Sequence, residues 1–539
     1  MSSLTDSRKR LALIAAIMGS FVAGLDATVV NVALPAIEDD LGGGLAGQQW
    51  VSNAYLLTLG SLILVGGSLG DLFGERRVFA IGVGGFGAVS LGCALSPSIE
   101  ALVAFRALQG VFGALLTPSA LAIIVAVFTG EERGAAIGSW TAWGGISTVV
   151  GPLVGGYLID VASWRWIFAI NVPFVAATLA LIYAAIPRVE EGRAQARVDW
   201  IGAALCAVGL AGPVFALIQQ PAQGWASPGV LIPGLGGIAI FSLFLAYEKR
   251  IAHPMLELSL FSRRNFAIGN VETFAMYAGL SILFFFLVLF LQQVAGYDAL
   301  EAGLATLPTT AVMFTLSRRM GRLADRYGPR VFMGGGPLLA ACGLLLMLRL
   351  DAGVNYFTDL LPALLVFALG LSMTVAPLTA TVLADADERN AGVASGINNA
   401  IARVAGLMGI AALGAVVAAQ FGGSIDERLA GAQLSAEGRV AVEAAKKRNL
   451  AVIDPAGLSP DEGRRLVEAS ESASVTAFRT GMGISATLVA LGGIIGAVGI
   501  VNRRREVSAE GCSGGQLTGA PRDAGRVRVR VPEADPART

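Results

Sequence analysis

Long apolar runs recur along the chain, and polar residues are confined mostly to the short stretches between them. About 20 consecutive apolar residues are enough to cross a bilayer as one helix. The pattern therefore predicts a series of membrane-spanning helices, joined mostly by short turns into antiparallel neighbours. The fourteen predicted spans are 11–35, 50–69, 77–97, 101–128, 134–159, 165–187, 198–218, 229–247, 265–291, 303–320, 331–350, 358–383, 392–419 and 477–501.

The composition agrees with a polytopic membrane protein. Of the 539 residues, 55% are hydrophobic and 14% are charged, whereas soluble domains carry about 25% charged residues. Four cysteines without a CxxC pair and a single histidine, His253, provide no material for a metal site or histidine-based catalysis. A membrane-bound enzyme or receptor would need a nucleophile, a metal cluster or a sizeable soluble domain, and none is visible. No Walker A motif is present either, which argues against an ATP-driven pump.

The distribution of lysine and arginine predicts the orientation. Basic residues flank alternate loops, beginning before the first span and after the second, while the opposite short loops are acidic or neutral. Because positive residues stay on the cytoplasmic side, both termini are expected in the cytoplasm. The segment 420–476 is then a long non-cytoplasmic loop with two short amphipathic helices; it is a lid or partner surface, or a solvated cap on the last spans.

An aspartate, Asp26, lies inside the first apolar run, past its middle. An ionised carboxylate at that depth costs several kcal/mol, so it is either neutral for part of the time or faces water or a partner. A buried carboxyl of this kind can bind and release protons near neutral pH. A structural polar contact between helices is the alternative.

Two stretches of the chain repeat each other. The first contains GSLGDLFGERR, from Gly67, and the second contains GRLADRYGPR, from Gly321. Asp71 is matched by Asp325, 254 residues later, and a second echo pairs Pro118 with Pro377. Both copies lie in loops on the predicted cytoplasmic side, so the halves are expected to be two six-helix bundles in parallel orientation, with two spans left over between them.

These motifs resemble the major facilitator superfamily, in its fourteen-helix drug:proton antiporter branch. The first-helix segment LDATVVNVALPAI, the fourth-helix segment RALQGVFGALLTP and the fifth-helix segment GPLVGGYLID are each similar to motifs of that branch. One departure is Leu72, where the family's loop motif usually has arginine. The resemblance implies an N-terminal bundle over 11–190, two extra helices over 191–264 and a C-terminal bundle over 265–505, between a cytoplasmic N-terminus over 1–10 and a disordered tail over 506–539.

Several residues are then expected to control the change between access states. A turn at each loop motif acts as a cytoplasmic latch, and the fifth span bends so as to seal the pore. Gly155 is expected to approach the tenth predicted span in the other half. The residues of this set are Gly67, Asp71, Gly74, Arg76, Arg77, Gly151, Pro152, Gly155, Gly156, Gly321, Asp325, Gly328 and Arg330.

A second set is expected to carry protons and substrate. Asp26, Arg106 and Glu272 are the candidate proton-coupling residues; the resemblance implies that Arg106 is a cavity-facing cation that influences a nearby acid, and a charge that snorkels to the membrane surface is the alternative. The candidate cavity residues offer amide, cationic or aromatic surface, although for most of the aromatic ones packing is the competing interpretation. They are Asn31, Gln109, Trp140, Trp143, Phe274, Tyr277, Asn398, Asn399 and Arg403.

The sequence therefore predicts a secondary transporter, not an enzyme, in the cytoplasmic membrane of a bacterium. It would export amphipathic drugs or other small hydrophobic compounds in exchange for protons, as a monomer in the lipid bilayer, with no cofactor, metal or nucleic acid. Export of one endogenous metabolite, lipid or self-made antibiotic is the alternative, and the sequence does not separate the two.

Overall fold

The apolar runs form long helices in the computed structural model, which describes residues 6–128, 130–186, 198–252, 254–384, 391–448 and 450–502. The predicted tail over 506–539 and most of the linker before the extra helices lie outside these ranges. The helices are α1 (Asp6–Leu41), α2 (Gly44–Phe73), α3 (Glu75–Ala94), α4 (Ile99–Val127), α5 (Gly130–Val161), α6 (Trp166–Ala169), α7 (Asn171–Ala185), α8 (Trp200–Gln223), α9 (Pro228–Glu248), α10 (Arg264–Gln293), α11 (Ala299–Tyr327), α12 (Pro329–Leu346), α13 (Leu361–Ala384), α14 (Ala391–Arg428), α15 (Ala436–Arg448) and α16 (Pro460–Gly499).

Twelve helices within the described ranges are long and apolar enough to cross a membrane. The two remaining predicted spans, 50–69 and 134–159, lie in α2 and α5, which have 30 and 32 residues. The all-helical membrane fold is thus confirmed, and the count of fourteen spans stays a prediction.

The two halves of the unit that ends at Val501 use the same packing pattern. In the first half α2 packs on α4, α3 on α4 and α7, and α1 on α5 and α7. In the second half α11 packs on α13, α12 on α13 and α16, and α10 on α14 and α16. These are the same pairs in the order that the repeated motifs predict, so the internal repeat is structural.

The loop motifs end in equivalent glycine turns. Gly74 ends α2 with φ 86° and ψ 129°, and Gly328 ends α11 with φ 92° and ψ 145°. In each turn the glycine amide donates to the carbonyl four residues earlier, at 2.9 and 2.8 Å. Side chains other than glycine rarely adopt a positive φ, which explains why both copies keep a glycine at this point.

The two ends of the helical bundle differ in chemistry. We call the end with the α2–α3 and α11–α12 turns, which carries Arg76, Arg77 and Arg330, the basic end, and the end with α15 the loop end. At the basic end Arg264 at the start of α10 donates to the carbonyl of Gly499 at 2.7 Å. The largest buried apolar cluster lies towards the loop end and joins the two halves, with Val29 and Leu34 of α1 in the same cluster as Phe290 of α10 and Phe478 of α16.

The loop end corrects one expectation about the long loop. The first predicted amphipathic helix forms α15, but the second is the beginning of α16 and continues into the last span for 40 residues without interruption. Ser459 accepts a hydrogen bond from the Glu462 amide at its start. Because α14 also continues to Arg428, the connecting segment is shorter than 420–476.

The two extra helices, α8 and α9, pack on each other, and α8 also contacts α2 and α14. Leu210 and Val214 of α8 share a buried cluster with Leu57 of α2 and Leu407 of α14. The pair therefore covers the place where α2 meets α14 and leaves the repeated packing of the two halves unchanged.

Candidate functional site

Asp26 lies in a network of polar side chains in the interior of the first half. Its carboxylate is 0% exposed, forms an ion pair with Arg106 of α4, and accepts a hydrogen bond from Gln109 at 2.9 Å. Asn171, the first residue of α7, donates to the same carboxylate at 3.2 Å. Two helices, α4 and α7, thus supply donors to one buried acid of α1.

Arg106 is buried to the same degree, with 1% of its surface exposed. Its Nε donates to the carbonyl of Val51 in α2 at 3.0 Å, and the guanidinium lies over the ring of Tyr55 at 4.4 Å. Gln109 also accepts from its Nη1 at 2.6 Å. Arg106 therefore does not face a cavity in this conformation, because the acid, the ring and the α2 backbone enclose the group; its expected influence on the proton affinity of a nearby acid stays a prediction.

Gln109, predicted as a cavity residue, belongs to the same enclosed network. Its amide also donates to Ser90 of α3 at 2.8 Å, and Asn171 donates to Ser90 at 3.3 Å. Ser90 and Asn171 are the two members that the sequence analysis missed. Asn171 is the one neutral amide in the segment WRWIFAINVPF, which follows the fifth predicted span, and this was the available signal.

The donors of the network are directed at the Asp26 carboxylate. Asp26 accepts from Arg106, Gln109 and Asn171, and the side-chain oxygen of Asn171 has no hydrogen-bond partner among the described residues. Breaking a buried ion pair by removing one charge leaves the other uncompensated, which is costly. Loss of either charge would therefore loosen the contacts that hold α1, α2 and α4 together.

Glu272 of α10 differs from Asp26 in having no hydrogen-bond donors around its carboxyl group in the described structure. It is fully buried, and neither carboxylate oxygen has a hydrogen-bond partner among the described residues. A side chain at Gly496 of α16 would collide with its Oε2, so the carboxyl group fills the space left by that glycine. A buried carboxylate without donors costs several kcal/mol as an ion, and a neutral carboxyl group avoids most of this cost.

The two asparagines of α14, Asn398 and Asn399, lie in different environments. Asn398 donates to Asn270 at 3.1 Å and to Thr273 at 2.8 Å, so it forms a polar contact with α10. Asn399 is exposed and donates to the carbonyl of Ser395 in its own helix at 2.9 Å. Arg403 lies on the face of α14 that meets α2. A Cβ added at Gly60 of α2 would be 3.3 Å from the Cβ of Arg403.

The other predicted cavity residues are only partly open. Trp140 donates to Ser20 of α1 at 2.9 Å and packs inside the first half, while Trp143 is 48% exposed and meets Phe21 edge to face at 6.3 Å. Phe274 is 37% exposed, and Tyr277 is half-buried. Asn31 accepts a hydrogen bond from Ser52 at 3.4 Å.

The fifth-helix motif makes contacts in both halves, and one assignment needs correction. Side chains at Gly151 and Gly155 would collide with Thr28 and Val29 of α1, in the same half. A side chain at Gly156 would lie 2.5 Å from the Cα of Leu300 in α11. The expectation that Gly155 approaches the other half is therefore wrong, because Gly155 faces α1. Its neighbour Gly156 approaches the other half, since one residue turns the helix face by about 100°.

The same contact continues on both sides of Gly156. A Cβ at Gly303 of α11 would be 2.6 Å from the carbonyl oxygen of Pro152, so the two helices touch backbone to backbone there. Past Gly156, the carboxylate of Asp160 accepts hydrogen bonds from the amides of Ala299 and Leu300, at 3.3 and 2.9 Å. An acid from α5 thus caps the N-terminus of α11, where free amide groups favour a negative charge.

A second contact at the loop end joins α15 to the first half. Arg448 donates to Glu38 of α1 at 2.6 Å and also forms an ion pair with Asp39. Lys446 holds α15 to Asp426 at the end of α14 at 2.7 Å, and this hydrogen bond raises the pKa of Lys446. We call the set Glu38, Asp39 and Arg448 the loop clamp.

The predicted latch residues at the basic end lie mostly at the surface. Arg76 donates to the carbonyl of Tyr183 at 3.2 Å and lies over that ring, and Arg330 donates to the carbonyl of Ala497. Arg77 and Asp325 are exposed. Gly67 and Gly321 face Pro118 and Ala376 at ordinary contact distance, so each allows its loop to lie close to the neighbouring helix of its own half. The side chain of Asp71 lies outside the described part of the structure.

Three comparisons with known proteins agree with this architecture. The sequence profile described as Major Facilitator Superfamily matches residues 16–410. The tetracenomycin C resistance and export protein of Streptomyces glaucescens is 34% identical over 92% of this chain and 91% of its own length. The multidrug resistance protein Stp of Mycobacterium tuberculosis is 33% identical over 78% of each chain.

Solved structures share the fold at low sequence identity. A bacterial homologue of the human lysosomal transporter Spinster, in an inward-facing conformation, superposes with a TM-score of 0.64 at 16% identity, over 91% of this chain and 98% of that one. The xylose transporter XylE of E. coli, in an inward-open conformation, gives a TM-score of 0.56 over 92% and 97%. The chain belongs to the Major Facilitator Superfamily, and it is a multi-pass membrane transporter.

Proposed function

We propose that this transporter exports amphipathic small molecules from the cytoplasm in exchange for protons. The observation that carries the proposal is the buried ion pair of Asp26 and Arg106, because a carboxylate enclosed by donors of α4 and α7 changes its contacts with both helices when it takes up a proton. The relatives support the cargo class: the printed names of several describe antibiotic resistance, antibiotic export or multidrug resistance.

The orientation follows from the basic end, which we place in the cytoplasm of a bacterium, with the loop end outside. The contacts of Gly156, Asp160 and the loop clamp then close the outer side in the conformation described here. Opening of the outer side requires these contacts to separate, and proton entry to Asp26 from that side would accompany it. Glu272 acts in the same cycle as a second site that holds a proton within the other half.

Substrate breadth distinguishes multidrug export from the export of one self-made compound. The probable actinorhodin transporter of Streptomyces coelicolor is 34% identical over 75% of this chain, and its name, like that of the tetracenomycin C relative, refers to a single antibiotic. A dedicated exporter is therefore the second candidate. It predicts that one compound is transported much faster than unrelated amphiphiles, whereas a multidrug exporter accepts several.

A proton-flux measurement tests the proposal directly. The full chain is reconstituted as a monomer into liposomes that contain a pH-sensitive dye, a pH gradient is imposed, and a panel of amphipathic dyes of different charge is added. We expect at least one dye to dissipate the gradient in protein-containing liposomes and to move against its own concentration gradient. Facilitated transport of a dye without proton movement would contradict proton coupling.

A further inference from the structure

Arg403 lies where the two halves meet. It is in the first half of α14, and a Cβ added at Gly60 of α2 would be 3.3 Å from the Cβ of Arg403. The helix α14 also packs on α10 of its own half. Arg403 therefore lies on a helix that contacts both halves.

The guanidinium of Arg403 has no counter-ion in the described part of the structure. Among the described residues no hydrogen bond or ion pair is made to Arg403, although its side chain is half-buried at membrane depth. An arginine at this depth stays charged and normally pairs with an acid, a carbonyl group or water. The side chains of a helix also lean towards its N-terminus, so that Arg403 is directed towards the basic end.

Neither buried acid of the helical interior, Asp26 or Glu272, pairs with Arg403. Asp26 is paired with Arg106 within the first half. Glu272 is enclosed between α10 and α16, where Gly496 makes room for it, and it forms no ion pair with Arg403. The charge of Arg403 is therefore not compensated by these acids, and α10, which packs on α14, carries the aromatic side chains of the half-buried Tyr277 and the exposed Phe274.

We propose that Arg403 binds an acidic group of the exported molecule, so that the preferred substrates are aromatic or polycyclic anions and not lipophilic cations. The inference rests on the proposed export function and narrows its substrate class. A planar guanidinium group pairs with a carboxylate through two parallel hydrogen bonds, and the phenol and phenyl rings contact the ring system beside it. The same charge repels a cationic drug from this position.

Three probes with one ring system test this preference: pyrenebutyrate, its methyl ester, and pyrenebutyl-trimethylammonium. Binding to the purified full chain in detergent is measured by fluorescence anisotropy at neutral pH, and probe-driven proton flux is measured in liposomes. The variants are Arg403→Gln, which removes the charge, and Arg403→Lys, which keeps it. Arg439→Gln, in the exposed part of α15, is the matched control for loss of an arginine elsewhere.

We expect wild-type protein to bind the carboxylate at least about tenfold more tightly than the ammonium probe, since hydrogen bonds to charged groups contribute roughly that much. Arg403→Gln should lose about tenfold in affinity for the carboxylate and keep its affinity for the ester, which also shows that the variant is folded. Arg403→Lys should keep the preference for the carboxylate over the ammonium probe but bind the carboxylate more weakly than wild type, because lysine keeps the charge and not the paired hydrogen bonds. Arg439→Gln should match wild type.

Equal loss for all three probes in Arg403→Gln, tighter binding of the ammonium probe by wild type, or no binding of any probe would each overturn the inference. The proposed function fails in a different way. Arg403-dependent binding of the carboxylate without any proton flux would contradict proton-coupled export and leave the anion site intact. Proton flux driven by the ammonium probe alone would support export and overturn the anion site.

Discussion

Asp160 at the end of α5 accepts a hydrogen bond of 2.9 Å from the backbone amide of Leu300 in α11, so a side chain of one half caps a helix of the other. Losing a cap of this kind costs about 1 kcal/mol. Because the contact exists only when the loop end is closed, its loss should fall on that state alone. A shift of about 1 kcal/mol changes the ratio of the two access states roughly fivefold.

Asp160→Ala should therefore increase the population with an open loop end. Distances between spin labels at the exposed positions Ala162 and Ala430, one in each half, report the two states. Asp298→Ala is the matched control. Asp298 precedes α11 in the same half and caps this helix by accepting from the Glu301 amide at 2.6 Å, so its loss removes a cap without removing a contact between the halves. Equal distance distributions for Asp160→Ala and Asp298→Ala would show that the cap across the halves has no conformational role.

Gly156→Leu should disfavour the closed loop end more strongly than loss of the cap. The added side chain would meet the backbone of α11, and overpacking typically costs about 1–3 kcal/mol. We expect normal membrane insertion, weak export and a labelled loop end that is mostly open. Gly144→Leu, at an exposed position of α5 with nothing within 4 Å, should behave as wild type.

Gly155→Leu separates the two readings of the fifth-helix motif. Its side chain would meet Val29 of α1 in the same half, so it should lower the melting temperature without changing the ratio of open to closed loop ends. A conformational shift in Gly155→Leu and none in Gly156→Leu would reverse the assignment that the structure gives.

Arg448→Gln should weaken the loop clamp. Glu38 is 7% exposed, so removing the arginine leaves one acid buried and a second acid, Asp39, beside it without a partner. We expect the loop end to open more often than in wild type. A cysteine introduced at the loop end should therefore be labelled faster in Arg448→Gln than in the parent protein at low ionic strength. The exposed α15 variant Arg439→Gln should label at the wild-type rate; wild-type labelling of Arg448→Gln as well would mean that the clamp does not hold the closed state.

Glu272→Gln tests the second proton site. A glutamine has nearly the same shape as a neutral carboxyl group, so the variant should insert and melt as wild type does. It cannot release a proton, and the number of protons exchanged per substrate should therefore fall. Proton and substrate fluxes measured together in liposomes give this ratio, with the exposed-surface variant Glu301→Gln as the control. An unchanged ratio would mean that Glu272 is a structural group.

Much of the fold was predictable because a helix in a membrane must be continuously apolar, and a repeated motif must occupy equivalent positions. The equivalence of Gly74 and Gly328 followed from the repeat alone, and so did the packing pattern of the halves. The continuity of α16 was not predicted, because charged residues such as Asp461 and Arg464 mark a surface but not the end of a helix.

Some members of the site were predictable from the sequence, but its geometry was not. Depth in an apolar run identified Asp26 and Arg106, yet the sequence does not show that they face each other inside one half. Gly155 and Gly156 are both small, so composition does not reveal which of them faces α11. Asp160 was missed because an acid at a helix end is ordinary, and only the position of the Leu300 amide gives it a role.

The most direct test of proton-coupled export is Asp26→Asn, in which uphill and exchange transport are measured on the same reconstituted protein. Without the carboxylate no proton is carried at this site, so export against a substrate gradient under an imposed pH gradient should be abolished. Substrate exchange between equal pools, which needs alternating access but no net proton movement, should persist and shows that the variant is folded. Uphill export by Asp26→Asn at the wild-type rate would contradict the account.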